Sequence, residues 1–136
     1  MVRNIVKDIN LLNKKASPAT KDDLEIVKDL MDTLKANEKK CIGMAANMIG
    51  YNKAIICISL GFINIPMINP VITKKKSHYK TKESCLSLIG ERDCIRHEEI
   101  EVDYYDLTFT KRNATFKGLT AEIIEHEIDH LNGIII

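Results

Sequence analysis

The sequence predicts an α+β fold. Three observations predict it. Residues 54–110 are rich in β-branched and extended segments, residues 20–36 carry a helical apolar period, and a second apolar-periodic stretch over 119–131 ends in Asn132-Gly133. Strands in the middle flanked by two helices fit one domain, 1–136, and 136 residues suffice for one core.

The first 20 residues read as irregular, because Ser17-Pro18 breaks any early helix. Thr20-Lys21-Asp22-Asp23 is a helix start, a capping hydroxyl followed three residues later by a carboxylate. Leu24, Val27, Leu30, Met31 and Leu34 then recur at spacings of three and four, which predicts an amphipathic helix to about Ala36 that packs on the core. Ile42 to Gly50 is a small-residue segment. Ala54 to Ile58 is a β-branched run expected to form a buried strand, and Gly61 to Pro70 holds short extended pieces punctuated by Pro66 and Pro70. Thr73 to Lys82 carries five lysines and His78; it could touch ribosomal RNA, but a solvated loop or strand face is the plainer reading. Ile95 and Glu98 to Thr110 read as further strands, with a turn near Asp106. The second helix runs from about Leu119 to Leu131.

Charge is uneven along the chain. Residues 1–82 hold 15 Lys+Arg against 7 Asp+Glu, and residues 83–136 hold 5 against 12, although the whole carries only +1. Two halves that neutralise each other in one fold explain this without a nucleic-acid partner. No apolar run is long enough to span a membrane, and Met1 to Asp8 lacks the apolar stretch of a signal peptide. Cys41, Cys57, Cys85 and Cys94 are too sparse for a disulfide scaffold. The expected compartment is therefore the cytoplasm, with neither DNA nor membrane as partner.

The strongest chemical signal is His126-Glu127-Ile128-Asp129-His130. Residues four apart share a helix face, so the two imidazoles can hold one divalent ion, with Glu127 placed as general base and then acid. Two satisfied surface histidines are the bland alternative. Ile123, Ile124, Ile128 and Leu131 argue against it by marking the helix as buried, where polar groups need partners. Asp129 is a candidate for orienting a ligand from behind. A catalytic site needs a third protein ligand, and Cys85, Cys94, His97, Cys57, Cys41 or a carboxylate could each supply it. Spacing does not choose among them.

Three segments together resemble the peptide deformylase family: Gly43-Met44-Ala45-Ala46-Asn47-Met48-Ile49-Gly50, Glu83-Ser84-Cys85-Leu86-Ser87 and His126-Glu127-Ile128-Asp129-His130-Leu131, with Asn69-Pro70 as a strand end. The resemblance implies that family's α+β fold, small mixed or antiparallel sheets around a central metal-binding helix, and a metal-dependent hydrolysis of the N-formyl group from nascent formyl-methionyl peptides, releasing formate. It implies Cys85, His126 and His130 as ligands of one divalent ion, Glu127 as acid/base, and the Leu86 N–H as oxyanion donor. A thiolate with two imidazoles suits Fe(II), the expected ion in the cell, and accepts Zn, Ni or Co. The resemblance also implies that Gly43 lets substrate backbone lie close, that Ile42, Leu119 and Ile123 line the methionine pocket, and that Arg92 faces the residues beyond it. Partners would be formyl-methionyl nascent peptides, with ribosome contact left open.

There are departures. Met48 stands where relatives have the second oxyanion donor, Gln, and cannot donate a hydrogen bond. Asn47 could replace it only if the loop turns it differently. Ser84 replaces a Gly, and Glu122 places a carboxylate near the pocket. A weak or inactive relative that binds metal or formyl-peptide is one alternative. A zincin-type peptidase with no need for Cys85 is the other.

Overall fold

The computed structural model describes residues 1–85 and 88–134. Its elements in chain order are α1 (Ile9–Leu12), α2 (Leu24–Ala36), β1 (Gly43–Ala45), β2 (Ile55–Ser59), β3 (Asn64–Cys85), β4 (Leu88–Tyr105), β5 (Lys111–Lys117) and α3 (Gly118–Leu131). The five strands form one antiparallel sheet in the order β1-β2-β3-β4-β5, and the one parallel pairing among the described residues is an isolated bridge between Ser17 and Lys53.

Helix α2 begins as the sequence predicts. A 3₁₀ turn at Lys21–Asp23 leads into it, and Thr20 and Asp23 bond reciprocally to each other's backbone as a capping box. Helix α3 starts one residue before its expected boundary and ends at Asn132, with Gly133 at φ 74 just beyond. The short helix α1 was not expected; at four residues it has no period to detect.

Strand β2 explains its own sequence. Successive side chains point to opposite faces. Ile55 and Cys57 pack with Val27, Leu30, Leu34 and Met44 on the α2 side. Ile56 and Ile58 pack with Ile123, Ile124, Ile100 and Val102 on the α3 side. A strand covered on both faces needs an unbroken apolar run rather than an alternating one, and each isoleucine so buried contributes roughly 1.5–3 kcal/mol.

Strands β3 and β4 are much longer than expected, at 22 and 18 residues. From Val71 to His78 no residue of β3 is buried, so the outer half of this ribbon has no hydrophobic alternation to read. It is held by its ladder and by cross-strand pairs such as Lys74–Glu101 and Lys76–Glu99, both 3.3 Å. No helix among the described residues is long and apolar enough to cross a membrane.

Candidate active site

Strand β3 ends where helix α3 passes under it, and the contact brings Cys85 against two turns of the helix. His126 and His130 stack one turn apart, with ring centroids 4.7 Å from each other. The Cys85 sulfur and one nitrogen of each ring lie within 4.8 Å of one another, and these three form the one such cluster among the described residues. The geometry therefore separates Cys85 from the other candidates. Cys57 is buried in the α2-side core. The thiol of Cys94 is pushed up to about 11, chiefly by burial, and lies outside the cluster. His97 is committed to Glu125, which takes its Nδ1 at 2.9 Å and its backbone N–H at 2.7 Å. Cys41 lines the same cleft, but its Sγ donates to the Gly43 carbonyl, and burial followed by the Glu127 charge pushes the thiol up to about 12.

A divalent ion fits this donor set on two counts. His130 Nε2 and Glu127 Oε1 are buried without a hydrogen-bond partner, which costs about 1–3 kcal/mol each unless something satisfies them. The surroundings also favour positive charge. Burial alone would lower both imidazole pKa values, yet the neighbouring Cys85 sulfur and the Glu127 charge raise them, and that of His126, also bonded to Glu83, rises to about 10.

Glu83 is a residue the sequence reading quoted without a role. Its Oε1 takes His126 Nδ1 at 2.7 Å, which leaves Nε2 as the nitrogen of that ring available to an ion. Arg96 grips both Glu83 oxygens at 2.7–3.1 Å and reaches Asp129 Oδ2 at 2.6 Å. Burial works against the Glu83 carboxylate, but His126 and Arg96 hold it well below the usual carboxylate range. Asp129 therefore does not orient a histidine directly. It is linked to His126 through Arg96 and Glu83, by three hydrogen bonds in series. The signal for this chain was faint: Glu83 lies two positions from Cys85, while Arg96 is far off in sequence on the facing strand, with a register shift between Glu83 and Cys85.

A cleft of about 480 Å³ opens onto the cluster, walled by the segment before β1, the end of β3 and one face of α3. Ile42, Gly43, Leu119, Ile123 and Glu127 all line it. Ile123 is buried, whereas Ile42 and Leu119 stand at the rim, 48% and 63% exposed. Gly43 has a reason beyond substrate approach. A Cβ there would lie 2.7 Å from Ile123 Cγ2 and 3.0 Å from Glu127 Oε2, so only glycine lets β1 pack this close to α3. Arg92 is not among the lining residues; its Nη1 reaches the Gly90 carbonyl at 3.4 Å. Leu86 lies outside the described residues. Met48 lines the cleft, but the Asn47 amide turns away and donates to the His130 carbonyl at 2.8 Å, so Asn47 is not the missing donor. Ser84 needs no left-handed backbone, and Glu122 does line the cleft, accepting from Tyr79 Oη at 3.0 Å.

Fold and site together define the framework of a hydrolase, with a thiolate and two imidazoles close enough to share one divalent ion beside a buried carboxylate. The polypeptide deformylase family model matches residues 2–136. A peptide deformylase of Clostridium beijerinckii is 54% identical over the full length of both chains. One from Thermoanaerobacter pseudethanolicus is 33% identical over 98% of this chain and 84% of its own. Among solved structures, the Met-Ala-Ser-bound class I type b peptide deformylase of Acinetobacter baumannii superposes with a TM-score of 0.88 at 26% identity, covering 99% of this chain and 97% of that one. A peptide deformylase from Legionella pneumophila gives 0.87 at 30% identity, covering 98% and 82%. The chain belongs to the polypeptide deformylase family.

Proposed function

We propose that this chain hydrolyses the N-formyl group from the formyl-methionyl terminus of nascent polypeptides, giving formate and a free amine. The observation that carries the proposal is the meeting of Cys85, His126 and His130, within 4.8 Å of one another, beside the buried carboxylate of Glu127. These three residues would hold the ion, Fe(II) in the cell, with Zn, Ni or Co as substitutes a thiolate site accepts. When bound, the ion acidifies water and polarises the formyl oxygen as a Lewis acid.

The chain's own groups do the rest. Glu127 takes a proton from the attacking water and delivers it to the departing amine nitrogen. The family resemblance assigns the N–H of Leu86, which lies outside the described residues, to the oxygen that gains charge during attack. Ile123 supports the methionine side chain from inside the cleft, with Ile42 and Leu119 at its rim, and β1, the outermost strand of the sheet, offers main-chain pairing to an extended peptide at Gly43. The Met-Ala-Ser complex of the Acinetobacter relative supports this substrate class. Nascent chains place the work in the cytoplasm.

Formate release from formyl-Met-Ala-Ser by anaerobically prepared Fe(II)- or Co(II)-loaded protein tests the reading. Turnover should fall by at least about 10²-fold in Glu127→Ala; wild-type turnover no faster than that variant rejects catalysis. A weakly active enzyme is the second reading, and Met48 in the cleft wall favours it.

A further inference from the structure

We infer that the cleft selects formyl-methionyl peptides with carboxylates beyond the methionine, through Lys39, Lys40 and Lys82 on its outer walls. The inference rests on the deformylase reading of the site. Lys39 and Lys40 precede β1 on one wall, and Lys82 sits near the end of β3 on the other. All three are exposed, and no ion pair among the described residues engages them. Lys74, Lys76 and Lys117, by contrast, each hold a glutamate within 3.5 Å.

The carboxylates of the cleft do not cancel this. Glu38 is the one exposed acid on the outer walls. Glu83, Glu122 and Glu127 lie deeper. Glu83 is held by Arg96 and His126, and Glu122 by Tyr79. A peptide with its formyl group at the Cys85 cluster and its methionine against Ile123 must leave between the two walls. An extended chain advances about 3.3 Å per residue, so the second and third side chains emerge at the rim. There, among the described lining residues, they meet three exposed ammonium groups and one exposed carboxylate, that of Glu38. Acidic side chains are attracted on approach and in the complex, and basic ones are repelled. Arg92, the cation the sequence suggested for this task, does not line the cleft.

The experiment compares kcat/KM for formyl-Met-Asp-Glu and formyl-Met-Lys-Lys on the metal-loaded enzyme. At low ionic strength the acidic peptide should be favoured by about tenfold, the scale of several exposed charge pairs. The ratio should collapse toward one near about 1 M salt, where the screening length falls to about 3 Å. K39Q/K40Q/K82Q should bring the low-salt ratio close to one, and K39E/K40E/K82E should invert it. A wild-type ratio near one, a ratio that salt leaves unchanged, or a preference that survives the triple charge reversal overturns the proposal. Failure to release formate from either peptide or from formyl-Met-Ala-Ser would instead sink the deformylase reading beneath it.

Discussion

Where a second oxyanion donor would be expected, Met48 presents a thioether whose Sδ accepts from the Ala45 amide at 3.5 Å. Sulfur there can pack but cannot donate. Since one such donor is worth on the order of 10²–10³ in rate, Met48→Gln should raise kcat by at least about tenfold with little change in KM. Single-turnover and steady-state formate assays check this, and an unchanged kcat would mean that the cleft stabilises its oxyanion without this position. Glu83 is the other residue whose removal should be informative. Glu83→Gln keeps the shape but weakens the hold on His126 and Arg96, and metal affinity measured by chelator competition should drop about 10–100-fold. Much of the site was legible at this scale because an i, i+4 histidine pair is a local pattern, and Glu127 comes with it. Cys85 was not separable by spacing, since its approach to the helix depends on where a 22-residue strand ends. Nor was the Asp129–Arg96–Glu83 chain, whose members meet only through strand register.

At the scale of elements, the contact between β1 and α3 decides whether the cleft exists. Gly43→Ala places a methyl group against Ile123 and Glu127, and neither can retreat without moving the buried Glu127 carboxylate or opening the α3-side core. The variant should lose about 1–3 kcal/mol by urea denaturation together with a fall in kcat. Restoring space with Ile123→Val should recover part of the stability; no recovery would show that the clash lies elsewhere. Helices α2 and α3 were readable because each has an apolar period and a marked end, down to the Thr20–Asp23 capping box. The outer halves of β3 and β4 were not, because a ribbon wet on both faces selects for charge pairs instead of alternation. The β-branched run of β2 was read correctly as a buried strand, and burial on both its faces explains the composition.

For the whole molecule, the two oppositely charged stretches of sequence meet across β3 and β4, where Lys74 and Lys76 face Glu101 and Glu99. The asymmetry is thereby neutralised inside one fold. Acid sensitivity should have a component at the β4–β5 turn. Thr108, Arg112 and Thr110 hold the Asp106 carboxyl well below its ordinary value. A depressed carboxylate contributes stability that is complete above about pH 4 and is lost as pH falls toward its folded value. Asp106→Asn should therefore lose less stability than the wild type between about pH 5 and pH 2, as followed by urea midpoints; equal losses would show that the turn does not contribute. The sheet's two rims answer a different hazard. An unpaired strand edge invites a foreign strand, and long flat ones seed aggregates. Here β5 guards its rim with Lys111, Arg112 and Lys117, while β1 is only three residues long. So short a margin can offer hydrogen bonds to a passing peptide and still be too small to template the stacking of one copy on another.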